Sequence, residues 1–311
     1  MSTKIYEIEN YENYGKCAII TDGTIEMFVT LDLGPRIIRY AFCGEKNVFY
    51  NDLSRKMVRD DKIMQDYYGD DYVWNLYGGH RFWISPESLP ETYYPDNDPL
   101  TYETDGNSII INQPDQKKNN LSLSLKITLE NGIAKVTHIV KNVGKETKKI
   151  SLWALSVMNK NGIAIIPYIN KNQGEFLPDR NLVFWWYSDM NDSRISYGKD
   201  FAVIKQDENA KGPFKIGFKL ENPKTAYING DTAFVLSFDS DFSAEYPDSS
   251  SNFESYTGAD MLEMETLSPL YTLSHGEQAV HSEYWSLKKI SITPDYNNNN
   301  EEEIKKLFEV L

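Results

Sequence analysis

The chain has 311 residues, 46 of them acidic and 32 basic, for a formal charge of −14. That balance argues against a nucleic-acid partner, since phosphate backbones are held by clustered Lys and Arg, and against docking on an anionic membrane. The length suffices for a proper core, and 21 Tyr, 14 Phe and 6 Trp are a heavy aromatic load for so acidic a sequence.

The first residues, MSTKIYEIENYENYG, lack the apolar stretch of a secretory signal. No apolar run approaches the about 18 residues of a membrane span. Cys17 and Cys43 have neither C-x-x-C spacing nor a His cluster for zinc. They are expected to be reduced strand residues, and the chain to be cytoplasmic.

In chain order, runs rich in β-branched and aromatic residues predict strands over Ile25–Leu33, Ile37–Phe42, Ser108–Asn112, Leu121–Leu129, Ile133–Lys141, Ile150–Val157, Leu182–Tyr187, Phe214–Leu220 and Ala233–Asp239. Leu121–Leu129 alternates apolar and polar without a fault, the mark of a half-buried strand. The pairs Asp22-Gly23, Asp105-Gly106, Asn131-Gly132, Asn161-Gly162 and Asn229-Gly230 supply the positive φ of tight hairpins. Short strands joined by hairpins, without helices between them, predict an all-β antiparallel architecture and exclude a parallel α/β sheet. Residues 51–72 and the proline-rich 85–100 read as long connections, which in compact domains often carry function. After an Asn run at 297–300, Ile304, Leu307, Phe308 and Leu311 fall on one face behind Glu301–Glu303, predicting a short amphipathic helix that docks on the domain. The expected organisation is one large domain over 1–295, with a linker and helix over 296–311.

Three segments carry candidate chemistry. In Tyr77-Gly-Gly-His-Arg-Phe-Trp-Ile-Ser-Pro-Glu87, two glycines permit close backbone approach, His80 can act as acid or base, and Arg81 offers a planar fork. In Met261–Leu270, an extended backbone puts Glu263 and Glu265 on one face, roughly 7 Å apart. His281, Glu283 and Trp285 share a face of the following strand. As two adjacent strands they are expected to form one polar, aromatic-walled surface suited to a sugar. A divalent cation on the carboxylates ranks below a sugar. Trp153 and the segment from Arg180 through Trp185-Trp186-Tyr187 are further candidates, and of the consecutive Trp185 and Trp186 at least one is expected in the core. His138 reads as a buried strand histidine and His275 as turn chemistry. No G-x-S-x-G, P-loop, G-x-G-x-x-G or H-E-x-x-H occurs.

A set of motifs then resembles a known group. Leu33-Gly-Pro-Arg-Ile-Ile38, Tyr77-Gly-Gly-His-Arg-Phe-Trp83, Trp153-Ala-Leu-Ser-Val-Met158, Tyr246-Pro-Asp248, Leu262-Glu-Met-Glu-Thr-Leu-Ser-Pro-Leu270, His275-Gly-Glu277 and His281-x-Glu283-x-Trp285-x-Leu287 occur in that order. Together they resemble a bacterial family of galactose-mutarotase-like proteins, over about residues 15–290. The resemblance implies the large β-supersandwich of aldose 1-epimerases. In those enzymes a late-strand Glu is the base and a His the acid. It implies Glu265 as the base, with Glu263 one pleat away as the alternative. The strand corresponding to the epimerase histidine, Leu152–Asn159, carries none here. His80 is the expected acid, with His281 the other stand-in.

The expected function is therefore binding of a sugar on a concave sheet face by Arg36, Arg81, Trp83, Trp153, Arg180, Glu263, His281 and Glu283. The alternatives are an epimerase using Glu265 and His80, or a non-catalytic scaffold. Neither cofactor nor metal is expected, and the oligomeric state is left open.

Overall fold

Alternation of apolar and polar side chains is satisfied by stacking two antiparallel sheets. The computed structural model describes residues 2–168, 176–291 and 301–311. An eleven-stranded sheet runs in the order Lys4–Ile8, Cys17–Thr21, Ile25–Thr30, Ile37–Phe42, His80–Ser85, Lys148–Met158, Leu262–Leu267, Phe253–Thr257, Phe214–Phe218 and Leu182–Phe184, with Tyr271–Leu273 added onto Lys148–Met158. A ten-stranded sheet runs Ile195–Tyr197, Phe201–Lys205, Ile163–Pro167, Lys224–Asn229, Thr232–Phe238, Gln278–Lys289, Ile133–Asn142, Leu121–Glu130, Ser108–Asn112 and Thr101–Asp105. The faces turned towards each other bury the main core, where Tyr40, Phe49, Phe234 and Trp285 meet ring to ring.

The local rules hold strand by strand. Leu121, Leu123, Leu125, Ile127 and Leu129 are buried in perfect alternation. Asn131 and Gly132 then turn the chain with φ of 52° and 75° into Ile133–Asn142. Four of the five expected hairpin dipeptides close hairpins; Asn161-Gly162 does not. It carries the chain from one sheet to the other, between Lys148–Met158 and Ile163–Pro167. A Cβ on Gly162 would sit 2.3 Å from the Tyr227 ring, so close approach is what requires glycine there.

The helix Glu301–Val310 lies on the outer face of the ten-stranded sheet. Ile304 and Leu307 pack with Ile163, Ile165, Phe201 and Val203. Each such burial stabilises by about 1.5–3 kcal/mol. The expected Asn run at 297–300 lies outside the described residues. No helix among the described residues is long and apolar enough to cross a membrane.

The outer face of the eleven-stranded sheet is covered differently. The stretch 51–72, expected as a loop, contains the helix Lys62–Tyr68. Asp61 caps it, Oδ1 accepting from the backbone N–H of Ile63 and Met64 at 3.0 and 3.3 Å. Its buried side, Met64 and Tyr68, joins Trp74, Trp83 and Trp153 in a second apolar cluster. The proline-rich connection adds Tyr93 and Tyr94 at its edge.

Candidate functional site

Side chains alternate across a strand, so each strand of the eleven-stranded sheet sends every second residue to the core and the others to this covered outer face. On His80–Ser85 the outward residues are Arg81 and Trp83; on Lys148–Met158, Trp153 and Leu155; on Leu262–Leu267, Glu263 and Glu265. Antiparallel register aligns Arg81 with Leu155, Leu155 with Glu265, and Glu265 with Glu254. Val157, Glu263, Tyr256 and Lys215 form the next row. Gly78 and Gly79 seat this strand. With φ of 93° and 69°, their missing Cβ atoms would lie 2.1 Å from the Tyr50 carbonyl and 2.4 Å from that of Ile37.

These rows floor a cleft of about 260 Å³, walled by Trp74, Trp83, Tyr93, Trp153, Tyr187 and Tyr256. Two buried ion-pair systems organise the floor. Arg81 Nη2 donates to Glu263 Oε1 at 3.1 Å, and its guanidinium lies 4.3 Å from the centre of the Trp83 ring. Lys215 Nζ donates to Glu265 Oε2 at 2.9 Å and lies 2.8 Å from Glu254 Oε2. The indole Nε1 of Trp153 donates to the same Glu265 oxygen at 2.8 Å. Lys215 sits 4.4 Å from the Trp153 ring centre and 4.6 Å from that of Trp185, a doubly stacked ammonium.

Burial sets the titration of these groups. It pushes the Glu254 carboxyl up to about 8, the Lys215 ammonium pulling the other way. It raises Glu265 as well, against the same ammonium. Burial also opposes the charge on Lys215, but Glu265 and Glu254 together hold its pKa above the ordinary lysine value. Four cleft atoms have no hydrogen-bond partner although buried: Glu265 Oε1, Arg81 Nε and Nη1, and Trp74 Nε1. Glu265 is thus held by one oxygen and leaves the other free.

The expected residues divide into two groups. Arg81, Trp83, Trp153, Glu263 and Glu265 are brought together in the cleft. His80, His281 and Glu283 are not: strand phase turns all three into the inter-sheet core, where His80 and Glu283 have no exposed surface. The strands bearing Glu265 and Glu283 are not neighbours but belong to opposite sheets. His80 and Glu265 therefore point away from opposite faces of one sheet and cannot flank one sugar ring. Arg36 is also outside the cleft, locked in a buried ion pair with Asp96. Arg180 bonds Asp179 and the Lys199 carbonyl, away from the cleft lining. Tyr187, a candidate within its aromatic segment, also lines the cleft, while Trp74, Tyr256, Lys215 and, paired to Lys215, Glu254 complete the site and were not anticipated. Only the alternation of Phe214–Phe218, which sets Lys215 opposite its apolar neighbours, signals any of them.

The inter-sheet residues form a closed network. His138 Nδ1 donates to the His281 carbonyl at 3.0 Å, so its Nε2 accepts from His80 Nε2 at 2.7 Å. His80 Nδ1 then accepts from the Ser156 hydroxyl at 2.9 Å. Thr266 donates to Glu283 Oε1 at 2.6 Å and accepts from His281 Nε2 at 2.7 Å, while Trp285 Nε1 donates to Glu283 Oε2 at 2.9 Å. Burial holds all three imidazoles below their usual pKa, His138 at about 4, in keeping with these neutral tautomers. Among the described residues, His80, His138 and Glu283 are the one cluster with metal-ligand spacing, their ligand atoms within 4.8 Å. Every one of those atoms is already committed to a hydrogen bond within the network.

A larger opening of about 750 Å³ lies between the turns around residues 44–48, 159–161 and 229–232. It contains no buried unpaired polar side-chain atom, and its Lys289 is satisfied by Glu45 and Asp231. The smaller cleft is where the chemistry converges.

No protein-family model and no curated protein sequence matches the chain. Solved structures do. The Slr1438 protein of Synechocystis sp. PCC 6803 superposes with a TM-score of 0.56 at 11% identity, over 92% of this chain and 96% of that one. Galactose mutarotase-like proteins from Lactobacillus casei and Clostridium acetobutylicum both give 0.52. Their identities are 9% and 12%, covering 92% and 93% of this chain and 100% and 99% of theirs. The chain has the galactose mutarotase-like fold. At these identities the likeness is one of fold, and it agrees with the supersandwich expected from the sequence. Within this mutarotase-like sandwich the late-strand Glu265 opens into the outer cleft, while no histidine among the described residues lines that cleft.

Proposed function

We propose that the chain binds an uncharged sugar ring in the cleft between Trp74, Trp83 and Trp153. The observation that carries this reading is the set of unpaired buried atoms on an aromatic-walled floor: Glu265 Oε1 as acceptor, Arg81 Nε and Nη1 and Trp74 Nε1 as donors. Leaving such atoms unsatisfied is costly, and a ring of hydroxyls both donates and accepts while its C–H faces lie against indole. The cleft, below the roughly 300 Å³ at which drug-sized pockets begin, suits one ring. The test is a thermal-shift and calorimetric screen against neutral monosaccharides, since a ligand of the native state alone raises apparent stability. Glu265→Gln should weaken the sugar that binds by about 10- to 100-fold, the worth of a hydrogen bond to a charged acceptor. An unchanged affinity would remove Glu265 from the site.

A second reading, an aldose 1-epimerase-like isomerase, is favoured by the free Glu265 oxygen, which stands ready to take a proton from an anomeric hydroxyl. In place of His80 the proton donor would be Lys215 or Tyr187, each held above its ordinary pKa by its surroundings and so a weaker acid than an imidazole. Polarimetry separates the two readings. An isomerase loses about 10²- to 10⁴-fold in anomerisation rate in Glu265→Gln, whereas a binding protein gives no rate above buffer in the wild type.

A further inference from the structure

One aromatic segment is absorbed neither by the core nor by the cleft floor. The strand Leu182–Phe184 ends before Trp185-Trp186-Tyr187, so neither tryptophan enters the core as the alternation of a longer strand would require. Trp185 packs over Lys215, and Tyr187 forms part of the cleft wall. Trp186 is 93% exposed and meets the Tyr187 ring edge-on, with centroids 5.6 Å apart. The turn that presents it is fixed. The Lys215 N–H donates to Ser188 Oγ at 2.8 Å, the Ser188 hydroxyl donates to the Lys215 carbonyl at 2.7 Å, and the Ser188 N–H donates to the Trp185 carbonyl at 2.9 Å. An indole is therefore held in water on a rigid turn, beside the wall of a cleft with room for one ring.

We propose that Trp186 is an outer subsite, on which the second ring of a saccharide stacks while its first ring occupies the cleft. The ligand class is then a di- or oligosaccharide rather than a free monosaccharide. The inference rests on the sugar reading of the cleft. The continuity from cleft wall to exposed indole through Tyr187 selects the occupant, because Tyr187 both lines the cleft and touches the Trp186 ring, so a ring linked past Tyr187 to one in the cleft meets this indole. An indole face accepts the C–H face of any pyranose, so it contributes affinity without dictating the linkage.

The experiment measures calorimetric affinities of glucose, galactose, mannose and N-acetylglucosamine, and of maltose, cellobiose, lactose, mannobiose and chitobiose, for the wild type, Trp186→Ala and Trp186→Phe. Trp186 is exposed, so its replacement leaves the packing intact. For the sugar that binds, the disaccharide should exceed its monosaccharide by about three- to tenfold, one aromatic contact. Trp186→Ala should abolish that gain with monosaccharide affinity unchanged, and Trp186→Phe should keep most of it. Equal mono- and disaccharide affinities in the wild type, or a gain that survives in Trp186→Ala, overturn the outer subsite and leave the sugar reading standing. Binding of none of these sugars by folded wild-type protein overturns both.

Discussion

Lys215 faces two carboxylates that burial would otherwise protonate. Its ammonium lies 2.9 Å from Glu265 Oε2 and 2.8 Å from Glu254 Oε2. Both glutamates are inaccessible to solvent, so the lysine is what makes any negative charge tolerable there. Removing one member of a buried ionic cluster leaves uncompensated charge and costs about 3–5 kcal/mol. Lys215→Met should therefore lower the urea-unfolding free energy by about that amount. The deficit should also depend on pH. Glu254 already has a folded pKa raised to about 8 by burial, and loss of Lys215 raises both glutamates further. A carboxyl whose folded pKa lies above its unfolded value contributes stability that is complete below the unfolded pKa and is lost as pH rises through the folded one. Unfolding curves of Lys215→Met should thus approach wild type near pH 5 and separate from it by pH 8. A deficit independent of pH would mean that the glutamates are not the groups Lys215 serves.

At the level of strands, the alternation of single segments told which residues share a face, and it was right: Glu263 pairs in phase with Glu265, and His281 with Glu283 and Trp285. What one segment cannot reveal is which face is the core, or which distant strand lies next door. His80 and Arg81 are adjacent in sequence yet separated by the whole thickness of the sheet. Which of them reaches the cleft depends on pairing with Lys148–Met158, some 70 residues on, and on the ten-stranded sheet stacked behind. The Lys215–Glu265 pair likewise needs Phe214–Phe218, Phe253–Thr257 and Leu262–Leu267 to be aligned in register. The hairpins at four of the five expected dipeptides and the carboxy-terminal helix were legible because their signals are local. The cleft was only half legible because its signals are pairings. This geometry makes His80 a structural residue. His80→Ala would orphan His138 Nε2 and the Ser156 hydroxyl and open a void, costing about 2–4 kcal/mol. Sugar affinity in the cleft should stay at the wild-type value. Chemical denaturation beside calorimetry checks this, and a lost affinity at unchanged stability would restore His80 to the cleft.

Charge at the scale of the whole molecule agrees with the neutral ligand proposed for the cleft. The chain carries −14 overall. Within the cleft, Arg81 and Lys215 are each committed to glutamates, and Glu87 adds a further carboxylate to the lining. An anionic sugar would be repelled both by the uncommitted carboxylate oxygens at contact and by the surrounding field. That field is screened beyond about 10 Å at 0.1 M salt. A neutral ring has no net charge for it to act on, and its affinity rests on hydrogen bonds and stacking. Calorimetric affinity for the neutral sugar should therefore change less than about twofold between about 20 mM and about 500 mM NaCl. The corresponding uronic acid should bind more weakly than the neutral sugar at low salt and recover part of the difference as salt rises. If the uronate instead binds more tightly at low salt, its carboxylate must be met by the unpaired Nε and Nη1 of Arg81 while Nη2 keeps Glu263, and the floor would select an acidic sugar rather than frame a neutral one.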